Sequence, residues 1–314
     1  MALWTSRNRS ASLQAMVEFT QQHFEDLCRD PAVRAEIGAI EEKRRKGVRR
    51  FWLLLGGGLL LAVAVAVSLF AYEWPGAGVI LALIVIIVAV IAGLAPLTAA
   101  KEDLKQPVLE TLARAGGMEY VAGGFDPPVF PEAGRVLFGG FSSYSFSDLF
   151  HGDDGGKRYA VYEGTLTRRQ GKHRVTVFSG QIYAYQRRSR GSGEIAIVSD
   201  KGLFNFLKPK GMERVKFESD PEFEKKFEVY ATEPATAAMT VGSGVRRQLL
   251  DLRQAGRAVA YLGAEDVLVA VWGKNRFEPG SMFRARSGEE RTRLMFDDVC
   301  ASMALLRQLK AVLG

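Results

Sequence analysis

FWLLLGGGLLLAVAVAVSLFAY, residues 51–72, and AGVILALIVIIVAVIAGLAPLT, residues 77–98, flank the short link Glu73-Trp74-Pro75-Gly76, and neither run contains Asp, Glu, Lys, Arg or His. At ~1.5 Å of rise per residue each run makes a helix roughly 33 Å long, enough to cross a hydrocarbon core of about 30 Å. The pair therefore reads as a transmembrane helical hairpin. About fifty residues precede the first run and a second span follows at once, which argues against a cleaved signal peptide.

Working outward, Lys43, Arg44, Arg45, Lys46, Arg49 and Arg50 precede the first run without an intervening acid, whereas the link carries Glu73 and no basic residue. Counting positive charge on the inside places both termini in the cytoplasm of a two-span inner-membrane protein. Trp52, Tyr72 and Trp74 sit where aromatic residues mark the two membrane interfaces. Within the runs, Gly58, Ala62 and Ala66 recur every fourth residue, as do Ala89 and Gly93. Small residues at that spacing let helices approach closely, within one hairpin or between two copies in a homo-oligomer. The absence of ionisable residues at membrane depth argues against transport by a single copy.

The arm at 1–50 has an amphipathic stripe over 12–29 (Leu13, Met16, Val17, Phe24, Leu27, Cys28), then Asp30-Pro31, a cap and first-turn proline for a second helix. Residues 99–150 read as a helix and a Gly/Pro-rich linker, and 151–314 as a cytoplasmic α+β domain. In that domain strands are expected over 158–169, 172–188, 194–199, 215–218, 227–231, 258–262 and 267–272. A helix is expected over 245–254, and a long final helix over 289–313 carries Met295, Val299, Met303, Leu306, Leu309 and Leu313 on one face. The fold class is thus α+β: N-terminal amphipathic helices, the hairpin, then a mainly antiparallel sheet covered by helices.

The 314 residues carry 42 Lys/Arg against 35 Asp/Glu, and this net charge of +7 is spread too thinly to imply a nucleic-acid partner. It suits a domain held beneath an anionic leaflet. Cys28 and Cys300 offer neither a disulfide framework nor a metal knuckle. Lys43, Arg44, Arg45, Lys46, Arg49 and Arg50, with two basic clusters of the sheet, Arg168, Arg169, Lys172, His173 and Arg174, then Arg187, Arg188 and Arg190, are the candidates for a patch that takes anionic lipid headgroups or a partner; the two sheet clusters could meet in one patch, or protect a solvated sheet edge. His151, with Asp148, Asp153 and Asp154 around it, could ligate a cation, but Asp-Asp-Gly-Gly equally makes a turn, and no further ligand spacing supports a metal. Gly242-Ser243-Gly244 before Arg246 could greet an anion, yet it lacks the rest of a phosphate loop and reads as a helix start. No catalytic residue, cofactor or metal site is assigned, since the three histidines support no triad.

The stretch Phe217-Glu218-Ser219-Asp220-Pro221-Glu222-Phe223-Glu224-Lys225-Lys226-Phe227-Glu228-Val229-Tyr230-Ala231 is followed by Asn275-Arg276-Phe277-Glu278-Pro279 and preceded by Phe178-Ser179-Gly180 and the two-span hairpin. Together these resemble a bacterial membrane family known only as a domain of unknown function, over roughly the hairpin to Pro279. The resemblance implies no activity or cofactor. Because members stand beside genes for LemA-like proteins, it implies a partner of that kind. Where relatives have a leucine-threonine-proline helix entry, this chain has Met239-Thr240-Val241-Gly242-Ser243-Gly244. The aromatic motif also makes sense as a core corner, with Phe223 and Phe227 four residues apart. The function expected is a non-enzymatic scaffold or regulator that binds the bilayer and another membrane or cytoplasmic protein. The alternatives are a tethered enzyme acting on a lipid or envelope precursor, and a self-assembling hairpin protein.

Overall fold

The structure, a computed structural model, describes residues 25, 28, 29, 31–199 and 209–314. Most of the amphipathic stripe expected over 12–29 therefore lies outside the described residues. The architecture is α+β, and the chain divides into two compact units.

One unit holds the described residues up to Thr111 together with Phe277–Asp297. Its two long helices are α1, Pro31–Ala71, and α2, which begins here and spans Pro75–Ala115. Both are long and apolar enough to cross a membrane. The second arm helix and the first apolar run are one uninterrupted helix, because no proline or glycine cap separates Val33 from Ala71. The helices pack through the small residues. A methyl on Gly58 would stand 2.5 Å from Ala89 Cβ, one on Gly93 would stand 2.8 Å from the Phe51 ring, and Ala62 is buried. The glycines are what allow backbones this close.

The other unit comprises residues 112–276 and 298–314. Its nine strands among the described residues are β1 Glu119–Gly123, β2 Ser143–Asp154, β3 Lys157–Gln170, β4 His173–Gln186, β5 Ile195–Ser199, β6 Glu213–Val215, β7 Phe227–Ala231, β8 Ala258–Leu262 and β9 Asp266–Trp272. They form one antiparallel sheet in the order β1-β2-β3-β4-β9-β8-β5-β7-β6. Helix α3, Phe130–Phe138, lies in a region expected to be linker, as do β1 and the start of β2. Short helices α4, Pro221–Glu224, and α5, Pro234–Thr240, precede α6, Ser243–Ala255, and the last helix, α7, spans Gly288–Leu313.

Strand alternation gives the sheet two buried faces. One face contributes Leu149, Tyr162, Phe178, Ile182, Tyr261 and Leu268 to a core shared with Phe130, Ala133, Leu137 and Phe138 of α3. On the other face Gln181 bonds Ser302 of α7 at 3.1 Å, and the Tyr185 hydroxyl donates to Leu309 O at 3.0 Å. The α7 stripe from Val299 to Leu313 is buried, as its spacing predicts.

Candidate functional site

The polar N-terminal part of α1 is built around one arginine that leaves the basic run. Arg44 is buried, and its guanidinium forks onto Glu41 at 2.7–3.0 Å and donates to Met282 O at 2.8 Å. Burial works to raise the Glu41 carboxyl, but the Arg44 hydrogen bond and the charges of Arg44, Arg291 and Arg45 hold it below the usual carboxylate range. Its neighbours in the run remain at the surface: Lys43 pairs with Asp103 at 2.9 Å, Lys46 with Glu42 at 2.7 Å, and Arg49 and Arg50 are exposed. The surface patch is therefore Lys43, Arg45, Lys46, Arg49 and Arg50, with Arg44 acting as a brace beneath it.

The segment that Arg44 grips is fixed from its other side by Arg291, a fully buried side chain at the start of α7. Its NH1 donates to Pro279 O and Ser281 O, both at 3.0 Å, and its NH2 donates to Arg284 O at 2.7 Å. Ser287 and Glu290 place it there through a reciprocal cap: Glu290 N donates to Ser287 Oγ at 3.1 Å and Ser287 N to Glu290 Oε2 at 2.8 Å. Glu278, one residue before Pro279, accepts from Lys105 at 2.9 Å and pairs with Lys101. Burial pushes the Glu278 carboxyl up, yet hydrogen bonds from the two lysines bring it below the usual range overall.

The two basic clusters of the sheet do not meet. Arg168 to Arg174 crowd the β3–β4 turn, whereas Arg187, Arg188 and Arg190 follow the far end of β4. Fourteen residues at ~3.3 Å each separate them by about 45 Å, which corrects the expectation of a shared patch. Several of these arginines hold backbone instead. Arg168 reaches Gly140 O and Phe138 O, Arg187 reaches Gly263 O, and Arg190 pairs loosely with Glu265. Lys172 and Arg174 are exposed. Beside the second cluster a recess of about 370 Å³ is lined by Asp154, Lys157, Tyr185, Arg188 and Lys310, where Lys310 is already matched by Asp154 at 2.5 Å.

Asp153 to Gly156 make the β2–β3 turn, with Gly156 N donating to Asp153 Oδ1 at 2.6 Å and both glycines at positive φ. His151 lies within β2, buried, 3.6 Å from Glu119. Asp148, with φ 55°, sits at a bulge in β2 and accepts from the Tyr120 hydroxyl at 2.7 Å. One of its oxygens lies within 4.8 Å of one from the buried Glu163, a juxtaposition that the sequence separation conceals. Burial drives the His151 pKa below its usual value, with Glu119 opposing. The unfolded chain then takes up protons first as pH falls, so stability is full above about pH 6.5 and declines below it. His151→Gln should flatten the fall in melting temperature between pH 7 and 5, and identical slopes for the two proteins would refute this assignment.

At the helix start Gly242-Ser243-Gly244 the nearby cation is already engaged. Arg246 donates to Asp220 Oδ2 at 2.7 Å and to Val241 O at 2.9 Å, and its guanidinium lies 4.9 Å from the Phe217 ring centroid. Asp220 in turn caps α4 by accepting from Phe223 N; Phe217 meets Phe223 edge-on at 5.7 Å, and Phe223 stacks on Phe227 at 5.1 Å. The aromatic motif is a packed corner joining α4, β7 and α6.

Residues 176–311 match the model of a family described as protein of unknown function, DUF3137. The DUF3137 match takes in both the aromatic motif and the Asn275–Pro279 segment. It begins beyond both apolar helices and runs past Pro279 into the last helix, so it starts later and ends later than the resemblance read from the sequence. None of the curated proteins matches the chain. Among solved structures, the mycobacterial trehalose monomycolate transport factor A, TtfA, aligns at 12% identity over 67% of this chain and 94% of that one, with a TM-score of 0.37. A likeness at that level decides neither fold nor function.

Proposed function

We propose that this is an inner-membrane protein with two spans and both termini in the cytoplasm, and that its α+β unit is a non-enzymatic scaffold or regulatory module. The observation that carries the reading is the unburied apolar surface of α1 and α2: Leu60 is 75% and Phe70 73% exposed, with no charge at that depth. Water does not tolerate an apolar surface of that extent, and a bilayer does. The exposed basic residues before Phe51 support the orientation. The polar groups of the sheet unit support binding over catalysis, because Arg168 and Arg187 brace backbone and Lys310 in the recess is matched by Asp154. The partner is another membrane or cytoplasmic protein, a LemA-like protein being the first bait.

Alkaline carbonate should leave the chain in the membrane, and protease added to intact spheroplasts should spare the sheet unit until the cells are opened. Shaving of that unit from the outside would reverse the orientation. Crosslinking in mild detergent should recover one stoichiometric partner; a clean single copy carrying a bound metabolite would move the reading to an enzyme.

A further inference from the structure

Residues 279–287 belong to no helix or strand, yet four hydrogen bonds from two buried arginines lock their backbone. What the loop displays is one aromatic ring and two cations. Phe283 is 42% exposed and packs edge-on against Phe51, with ring centroids 4.9 Å apart. Phe51 opens the first apolar run and fits against Gly93 near the end of the second, so Phe283 stands at the level where both runs meet polar sequence. Trp52, 59% exposed, lies 5.4 Å from Phe51 and completes an aromatic belt. Arg284 is exposed and Arg286 half-buried; no acid interrupts 279–287, and the exposed Arg49 and Arg50 directly precede Phe51.

A rigid loop that shows an aromatic ring flanked by guanidinium groups is matched to the boundary between acyl chains and phosphates. The ring takes the apolar depth, and the planar forks take phosphate oxygens two at a time. Because the loop is already ordered, docking a headgroup costs little conformational entropy. We propose that Phe283, Arg284 and Arg286, with Arg49 and Arg50, form a binding site for the headgroup of an anionic phospholipid. This rests on the reading of α1 and α2 as membrane spans.

The full chain is reconstituted into phosphatidylcholine vesicles, and the motional restriction of spin-labelled phosphatidylglycerol is compared with that of spin-labelled phosphatidylcholine. The wild type should prefer phosphatidylglycerol, and Arg284→Gln/Arg286→Gln should cut that preference by roughly threefold or more without shifting the melting temperature. Inorganic phosphate in excess should not displace the lipid. A preference that the double variant leaves intact, or one that free phosphate abolishes, overturns the proposal and leaves the loop to an acidic protein or a soluble anion. A wild type that restricts both lipids equally also overturns it while keeping the spans. Restriction of neither lipid removes the membrane reading itself.

Discussion

Arg291→Met should destabilise the protein by about 3–5 kcal/mol, because it removes three charge-assisted hydrogen bonds from a fully buried guanidinium to the loop's carbonyls. Arg291 is fully buried, and the carbonyls of Pro279, Ser281 and Arg284 converge on it. Arg291→Lys should recover little, since a single ammonium cannot span the three acceptors that the planar guanidinium reaches. Lys46→Met is the control. It removes an exposed, solvent-screened ion pair with Glu42 and should leave the melting temperature where it is. Thermal melts in detergent measure the cost, and trypsin adds a local readout. Release of 279–287 should open Arg284 and Arg286 to cleavage before the sheet unit melts. An Arg291→Met protein that melts within a degree of wild type, with trypsin still excluded, would mean the loop is held by something other than this side chain.

Arg291 is also the clearest case of a residue whose importance could not be read in advance. In the sequence it is one of three adjacent charges, Glu289-Glu290-Arg291, on a helix whose periodic signal is its apolar stripe. Its role depends on three acceptors in a loop with no periodicity. The same holds for Arg44, one of six basic residues in its run, which a carbonyl 238 residues away takes out of the patch. Long, strongly periodic segments were legible because their pattern follows from a single face: both apolar runs, the β3–β4 hairpin about Gly171, β7 to β9, and the last helix. The segment from Gly116 to Phe150 was not. Its glycines and prolines look like linker, yet Pro131 occupies the first turn of α3, where the missing N–H costs nothing. In β2 the bulge between Ser147 and Phe150 shifts the alternation by one residue. Phe146 and Leu149 therefore pack on the same core despite a spacing of three, and no period-two search would join them.

The resemblance carried by Phe178-Ser179-Gly180 acquires a physical content from the pairing of β4 with β9. Gly180 stands opposite Trp272 on one side and Gly164 on the other, with φ at 157°, a value that residues bearing a Cβ rarely adopt. A methyl there would collide with Val271 O and lie 2.9 Å from Gly273 N and 3.0 Å from Trp272 Cα. All three are backbone or backbone-anchored, so no rotamer change relieves the clash; one strand must move. The move would also separate Trp272 from Phe178, whose rings pack at 4.9 Å, and break the bond from Trp272 Nε1 to Val177 O at 3.2 Å. Gly180→Ala should therefore cost on the order of 4 kcal/mol, far beyond the usual effect of one added methyl. Gly140→Ala meets nothing within 4 Å and should stay within about 0.5 kcal/mol of wild type. Detergent melts of the two variants decide the matter, and hydrogen exchange at Val271 and Trp272 locates the damage. If Gly180→Ala melts like Gly140→Ala with those amides still protected, then β4 and β9 do not approach each other at this point as closely as their register requires.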